Sequence, residues 1–114
     1  MDDEDEKDNA VKIEAANDLL EISELPLFYI NKAKNLLCHL LTKTKEYEQA
    51  RPMCQYIINN RSSLDESIDV VDAYCDIATG YLADEKYEEA KRVVQDGLKD
   101  NQQNKKVIIH SFTL

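Results

Sequence analysis

Lys45-Glu46-Tyr47-Glu48-Gln49-Ala50 and Glu85-Lys86-Tyr87-Glu88-Glu89-Ala90 are two versions of one fragment, offset by 40 residues (87 − 47). Each copy closes one apolar pattern of helical period and opens the next. Before the first copy, Leu27, Phe28, Ile30, Ala33, Leu36, Leu37, Leu40 and Leu41 form nearly two stripes, so this helix is expected to be buried on more than one side. After it, Ala50, Met53, Cys54, Ile57 and Ile58 continue at three- and four-residue steps until the polar run Asn59 to Ser63. The second copy sits between Ile68, Val70, Val71, Ala73, Tyr74, Ile77, Ala78, Tyr81, Leu82 on one side and Ala90, Val93, Val94, Leu98 on the other. The spacing predicts helices over 27–43, 48–59, 67–82 and 86–99, with consecutive helices antiparallel.

Outside this pair of pairs lie two ends of different character. Residues 1–8 carry six acids and one base among Asp2 to Asp8, and are expected to form a mobile acidic tail. Ala10, Val11, Ile13, Ala16, Leu19, Leu20 and Ile22 then predict a first amphipathic helix over 9–22, broken before Pro26. The helical domain is expected over 9–104. Residues 105–114, with Val107, Ile108, Ile109, Phe112 and Leu114, are expected to form an apolar cap, a truncated next helix or a contact in a homo-oligomer.

Around the second copy, Tyr74, Ile77, Ala78, Tyr81, Tyr87, Ala90 and Val94 stand at the spacing of the tetratricopeptide signature. Residues 71–104 thus resemble one tetratricopeptide repeat. The first copy matches less well, with Lys34, Leu37, Cys38, Leu41, Tyr47, Ala50 and Cys54 at the corresponding places and Pro52 inside its second helix. The 40-residue offset also exceeds the family's roughly 34, which places about six extra residues around Ser62 to Glu66. The alternative is a plain helical bundle in which the echo is accidental.

The resemblance implies an all-α fold of antiparallel helix pairs stacked as a short right-handed superhelix, with the helix at 9–22 as a cap. It also implies a concave groove lined by the first helix of each pair. Its inward places in this chain are Lys32, Asn35, His39 and Thr42, then Asp72, Cys75, Asp76, Thr79 and Leu82. Relatives that clamp an acidic carboxy-terminal peptide use inward Lys and Asn. Here Asn35 and His39 are followed by Asp76 where an Asn is expected, which disfavours a carboxylate ligand and favours a basic one.

Charge and composition narrow the function classes. The net charge is −9 over 114 residues, −5 in the opening run and −4 in the rest, so phosphate backbones and anionic lipid approach against like charge. No nucleic-acid or membrane partner is expected, no spanning segment is present, and the acidic start is unlike a leader peptide, which suggests a cytoplasmic or nuclear protein. Cys38, Cys54 and Cys75 form no CxxC pair and are expected to be reduced thiols near the core, with Cys75 on the groove side. His39 and His110 lack a metal-ligand spacing, and two glycines leave no room for a phosphate loop or nucleophile elbow, so no metal, cofactor or catalytic site is expected. The leading expectation is a protein-binding module, an adaptor, assembly subunit or chaperone for a basic client. A peptide-sensing regulatory domain is the alternative and an enzyme the least favoured class.

Overall fold

The computed structural model describes the backbone of residues 3–113 and the side chains of residues 4–101. Within them the fold is all-α: α1 (Asp3–Leu20), α2 (Leu27–Lys43), α3 (Tyr47–Asn59), α4 (Val70–Ala83) and α5 (Tyr87–Thr113), with one 3₁₀ turn at Arg61–Ser63.

The repeated fragment makes the same turn twice. After α2, Lys45 adopts a left-handed φ of 66°, its amide donates to the Thr42 carbonyl and the Glu46 amide to the Leu41 carbonyl. Forty residues on, Glu85 has φ 60°, its amide donates to the Leu82 carbonyl and the Lys86 amide to the Tyr81 carbonyl. Both are Schellman caps, in which these two bonds satisfy carbonyls that the helix end would leave open. Glycine usually takes the left-handed position, yet Gly80 and Gly97 stand inside helices instead. Three residues between helices leave the chain no course but to return along its own path. Cys38 and Cys54, each eight residues from Glu46 (46 − 38, 54 − 46), meet across α2 and α3 as a disulfide.

The core forms in two connected clusters. Ala16, Ala33, Leu37, Leu41 and Ala50 join α1, α2 and α3, with Ile13, Leu19 and Leu20 packed on them. Cys38, Cys54, Ile57, Ile58, Ile68, Ala73 and Ile77 join α2, α3 and α4. Where backbones approach most closely, side chains vanish: a Cβ on Gly80 would stand 3.2 Å from the Tyr47 Cβ, and one on Gly97 3.0 Å from the Tyr74 Cγ. Tyr74 also donates its hydroxyl to Asp100 at 3.1 Å, and Asp100 in turn pairs with Arg61 at 3.3 Å, tying α4, α5 and the turn after α3.

Three expectations are corrected and a fourth, the start of α3, shifts by one residue. The acidic residues from Asp3 to Asp8 are helical rather than a free tail, because carboxylates in a first turn are favoured by the helix dipole and Asp8 pairs with Lys12 one turn on at 3.2 Å. α3 begins at Tyr47, one residue before the expected start, with Pro52 inside it as expected; Glu48 and Pro52 are both exposed, so water can serve the carbonyl that lacks a donor. α4 begins at Val70 and not near 67, since Asp69 caps it by accepting from the Val71 amide at 2.9 Å. The helix end expected at 99 is absent: α5 continues unbroken to Thr113, so residues 105–113 extend that helix and do not start a new one. The apolar side chains of 105–114 lie outside the described ones.

Candidate functional site

α2 and α4, the first helices of the two pairs, lie side by side. Most of the expected groove residues on these two helices are at least partly exposed. Asn35 and Lys32 are half-buried and His39 exposed on α2; Asp72, Cys75, Thr79 and Leu82 are exposed and Asp76 half-buried on α4. Lys32 is already engaged, hydrogen-bonded to Ser67, 3.8 Å from Asp65 and 5.3 Å over the Phe28 ring. Its charge therefore serves the loop before α4. Thr42 is corrected: it is buried, and its hydroxyl donates to the Cys38 carbonyl at 2.7 Å, one helical turn back.

His39 and Asp76 do meet, with Nδ1 3.8 Å from Oδ2. The same Oδ2 lies 3.5 Å from the Cys38 sulfur, so this carboxylate sits at the mouth of the groove with the disulfide behind it. The side chain of Asp76 is only 15% exposed, against 65% for His39. Burial pushes the Asp76 carboxyl up to about 6; His39 pulls it back and Asp72 adds to the rise.

Cys75 is a free, exposed thiol as expected. Burial pushes its pKa up, and the charges of Asp72, Asp76 and Asp69 push it further in the same direction. A thiol held in its acid form is the opposite of an activated nucleophile. What the groove offers is a negative field gathered along one helix, from Asp69, Asp72 and Asp76.

No family model, curated protein or solved structure matches the chain.

Two clefts lie on other sides of the helices, the first reaching Asp69 at the start of α4. One of about 690 Å³ opens between the loop from Arg61 to Val70 and α5, but its arginine is paired with Asp100. The other, about 720 Å³, separates α1 from the turn at Lys43 to Glu46 and is edged by both acids and lysines. The first also gathers Asp65, Glu66 and Asp69, and so meets the α4 row at Asp69, while the second is of mixed sign.

The reduced state expected for Cys38 and Cys54 is corrected, since the two sulfurs are bonded. Sequence spacing could not bring them together with Asp76, because the three residues come from three helices. The one signal was symmetry about the turn, which places 38 and 54 opposite each other once α2 and α3 are antiparallel. Among the described residues, no helix is long and apolar enough to cross a membrane.

Proposed function

We propose that the chain is a protein-binding module without a catalytic site of its own, which holds a lysine- or arginine-rich segment of a partner in the groove between α2 and α4. The observation that carries this reading is the row of carboxylates on α4: Asp69, Asp72 and Asp76 all act on the Cys75 thiol between them, so their fields add at one place. Lys32 on α2 is turned to Asp65 and Ser67 and does not pair with that row. Asn35 and Thr79 add short polar groups suited to peptide hydrogen bonds, and Leu82 an exposed apolar one. The matching Schellman turns, the helix hairpins and the contact of α2 with α4 support the tetratricopeptide-like reading, superhelical stacking included.

A fluorescence-polarisation screen of peptides graded in charge tests it. Basic peptides are expected to bind, with affinity falling as salt rises, and Asp72→Lys should remove most of the binding while leaving the helical spectrum intact. Binding indifferent to peptide charge, or unchanged by Asp72→Lys, overturns the reading.

A further inference from the structure

Two buried sulfurs from two helices and a carboxylate from a third converge on one point, with an exposed imidazole beside the carboxylate, a donor set that core packing does not require. The ligand atoms of Cys38, Cys54 and Asp76 all lie within 4.8 Å of one another. The Cys38 sulfur to Asp76 Oδ2 distance is 3.5 Å and the His39 Nδ1 to Asp76 Oδ2 distance 3.8 Å. Tetrahedral zinc with bonds of about 2.0–2.3 Å holds neighbouring ligand atoms roughly 3.3–3.8 Å apart, so two edges of the tetrahedron are already near that size. The remaining adjustments are to part the bonded sulfurs and to turn the exposed His39 ring inward past Asp76.

We propose that the chain, once its disulfide is reduced, binds one zinc ion through the thiolates of Cys38 and Cys54, a carboxylate oxygen of Asp76 and Nδ1 of His39. Thiolate donors select a borderline-soft ion over magnesium or calcium, and four donors of the N, O and S classes suit zinc. Cys38 and Cys54 are sealed among Ile57, Ile58 and Ile77, where two bare thiolates have no countercharge; a divalent cation supplies it. Asp76 and His39 stand on the groove side and provide the path of entry. The disulfide and the metal exclude each other. Two thiols of a reductant donate two electrons and two protons, the Cys38–Cys54 bond breaks to two thiols and the reductant leaves as its own disulfide. The arriving Zn²⁺ then displaces the two thiol protons into solvent.

Cobalt(II) reports on this directly, and a Cys75→Ser background removes the exposed thiol from the experiment. The protein reduced with a phosphine under anaerobic conditions should saturate at one equivalent of Co²⁺, with a thiolate-to-cobalt charge-transfer band and tetrahedral visible absorption that Zn²⁺ abolishes. The oxidised protein should show neither. Asp76→Asn and His39→Ala keep both cysteines and lie at or near the surface, so their folding is checked by the helical spectrum; each is expected to weaken Co²⁺ binding tenfold or more. Absence of the charge-transfer band at one equivalent in reduced protein overturns the site. So does an affinity left unchanged by both substitutions.

Discussion

The α2–α3 pair and the α4–α5 pair share a turn, bond for bond, and differ in what covers them. Position for position at the 40-residue offset, Cys54 is 0% and Ile58 7% exposed, whereas Val94 is 46% and Leu98 58% exposed. Tyr47 lies under Gly80 of α4, while Tyr87 is 62% exposed. The outer face of α3 is closed by α4. The same face of α5 has no described neighbour, so the same kind of apolar side chain is core in one pair and surface in the other. Local pattern specifies the hairpin; position in the stack decides which of its faces is buried.

The largest test of that difference is a matched substitution. Ile58→Ala removes a buried aliphatic side chain and should cost about 2–5 kcal/mol, whereas Leu98→Ala at the equivalent place should change stability by no more than about 0.5 kcal/mol. Urea unfolding of the two variants measures both. Equal losses would break the comparison and show that Leu98 is covered in solution, which sedimentation would then trace to self-association.

The crosslink is the second asymmetry. Cys38 and Cys54 correspond to Ala78 and Val94, so only the first pair is stapled. A loop of this length closed by a disulfide stabilises by roughly 3 kcal/mol through restriction of the unfolded chain. Metal-free protein is expected to lose about that much on reduction, read as a lower urea midpoint. A loss under about 1 kcal/mol would mean that packing of Leu37, Ile57 and Ile58 holds the first pair without the bond.

The two glycines sharpen the contrast between contacts within a pair and between pairs. An alanine at a helical glycine normally gains about 1 kcal/mol. At position 97 its Cβ would stand 3.0 Å from Tyr74 Cγ and 3.1 Å from Tyr74 Cβ, atoms close to the backbone that cannot swing aside. Gly97→Ala should therefore destabilise, by about 1–2 kcal/mol net. Gly80→Ala meets Tyr47 Cβ at 3.2 Å, a slightly wider gap, and should cost less. A reversed order in thermal melts would show that α3 and α4 are the more tightly pressed interface.

The hairpins were legible in the sequence because both signals involved are local. The apolar stripes of α2 through α5 have helical period, and the Tyr-Glu-X-Ala echo marks where each second helix begins. The start of α4 was missed because the run Ile68, Val70, Val71 looks helical throughout, while the Asp69 cap and the Asp65 turn that holds the Ser67 amide are each a single hydrogen bond. α5 runs past the expected end at 99 for the opposite reason: the polar run Lys99 to Asn104 holds no residue that forbids a helix. At the groove, the pairing of His39 with Asp76 follows from two faces that the repeat places side by side. The sulfur pair behind them does not, because it depends on the depth to which Cys38 is turned between α3 and α4, a property of the packed structure.

The smallest expected effect concerns the one residue that belongs to both the groove and the sulfur cluster. Asp76 is ionised at neutral pH although burial raises its carboxyl to about 6, above the ordinary aspartate value near 3.9 that it recovers on unfolding. A group whose folded pKa is raised stabilises most when protonated: its contribution is complete below about pH 4 and is lost as pH climbs through about 6. In the disulfide form, stability relative to Asp76→Asn should therefore fall between about pH 4 and 6 and stay level above that window. Water still reaches the carboxylate, so the change should be at most about 1 kcal/mol. His39 faces the same oxygen at 3.8 Å and opposes the rise, pulling the Asp76 carboxyl back down. Repeating the comparison in a His39→Ala background removes that opposition and should steepen the fall. Urea midpoints taken across pH 4 to 8 in the four proteins of this cycle settle it: parallel curves throughout would show that Asp76 is as well solvated folded as unfolded, and that the boundary between groove and core lies deeper than this carboxylate.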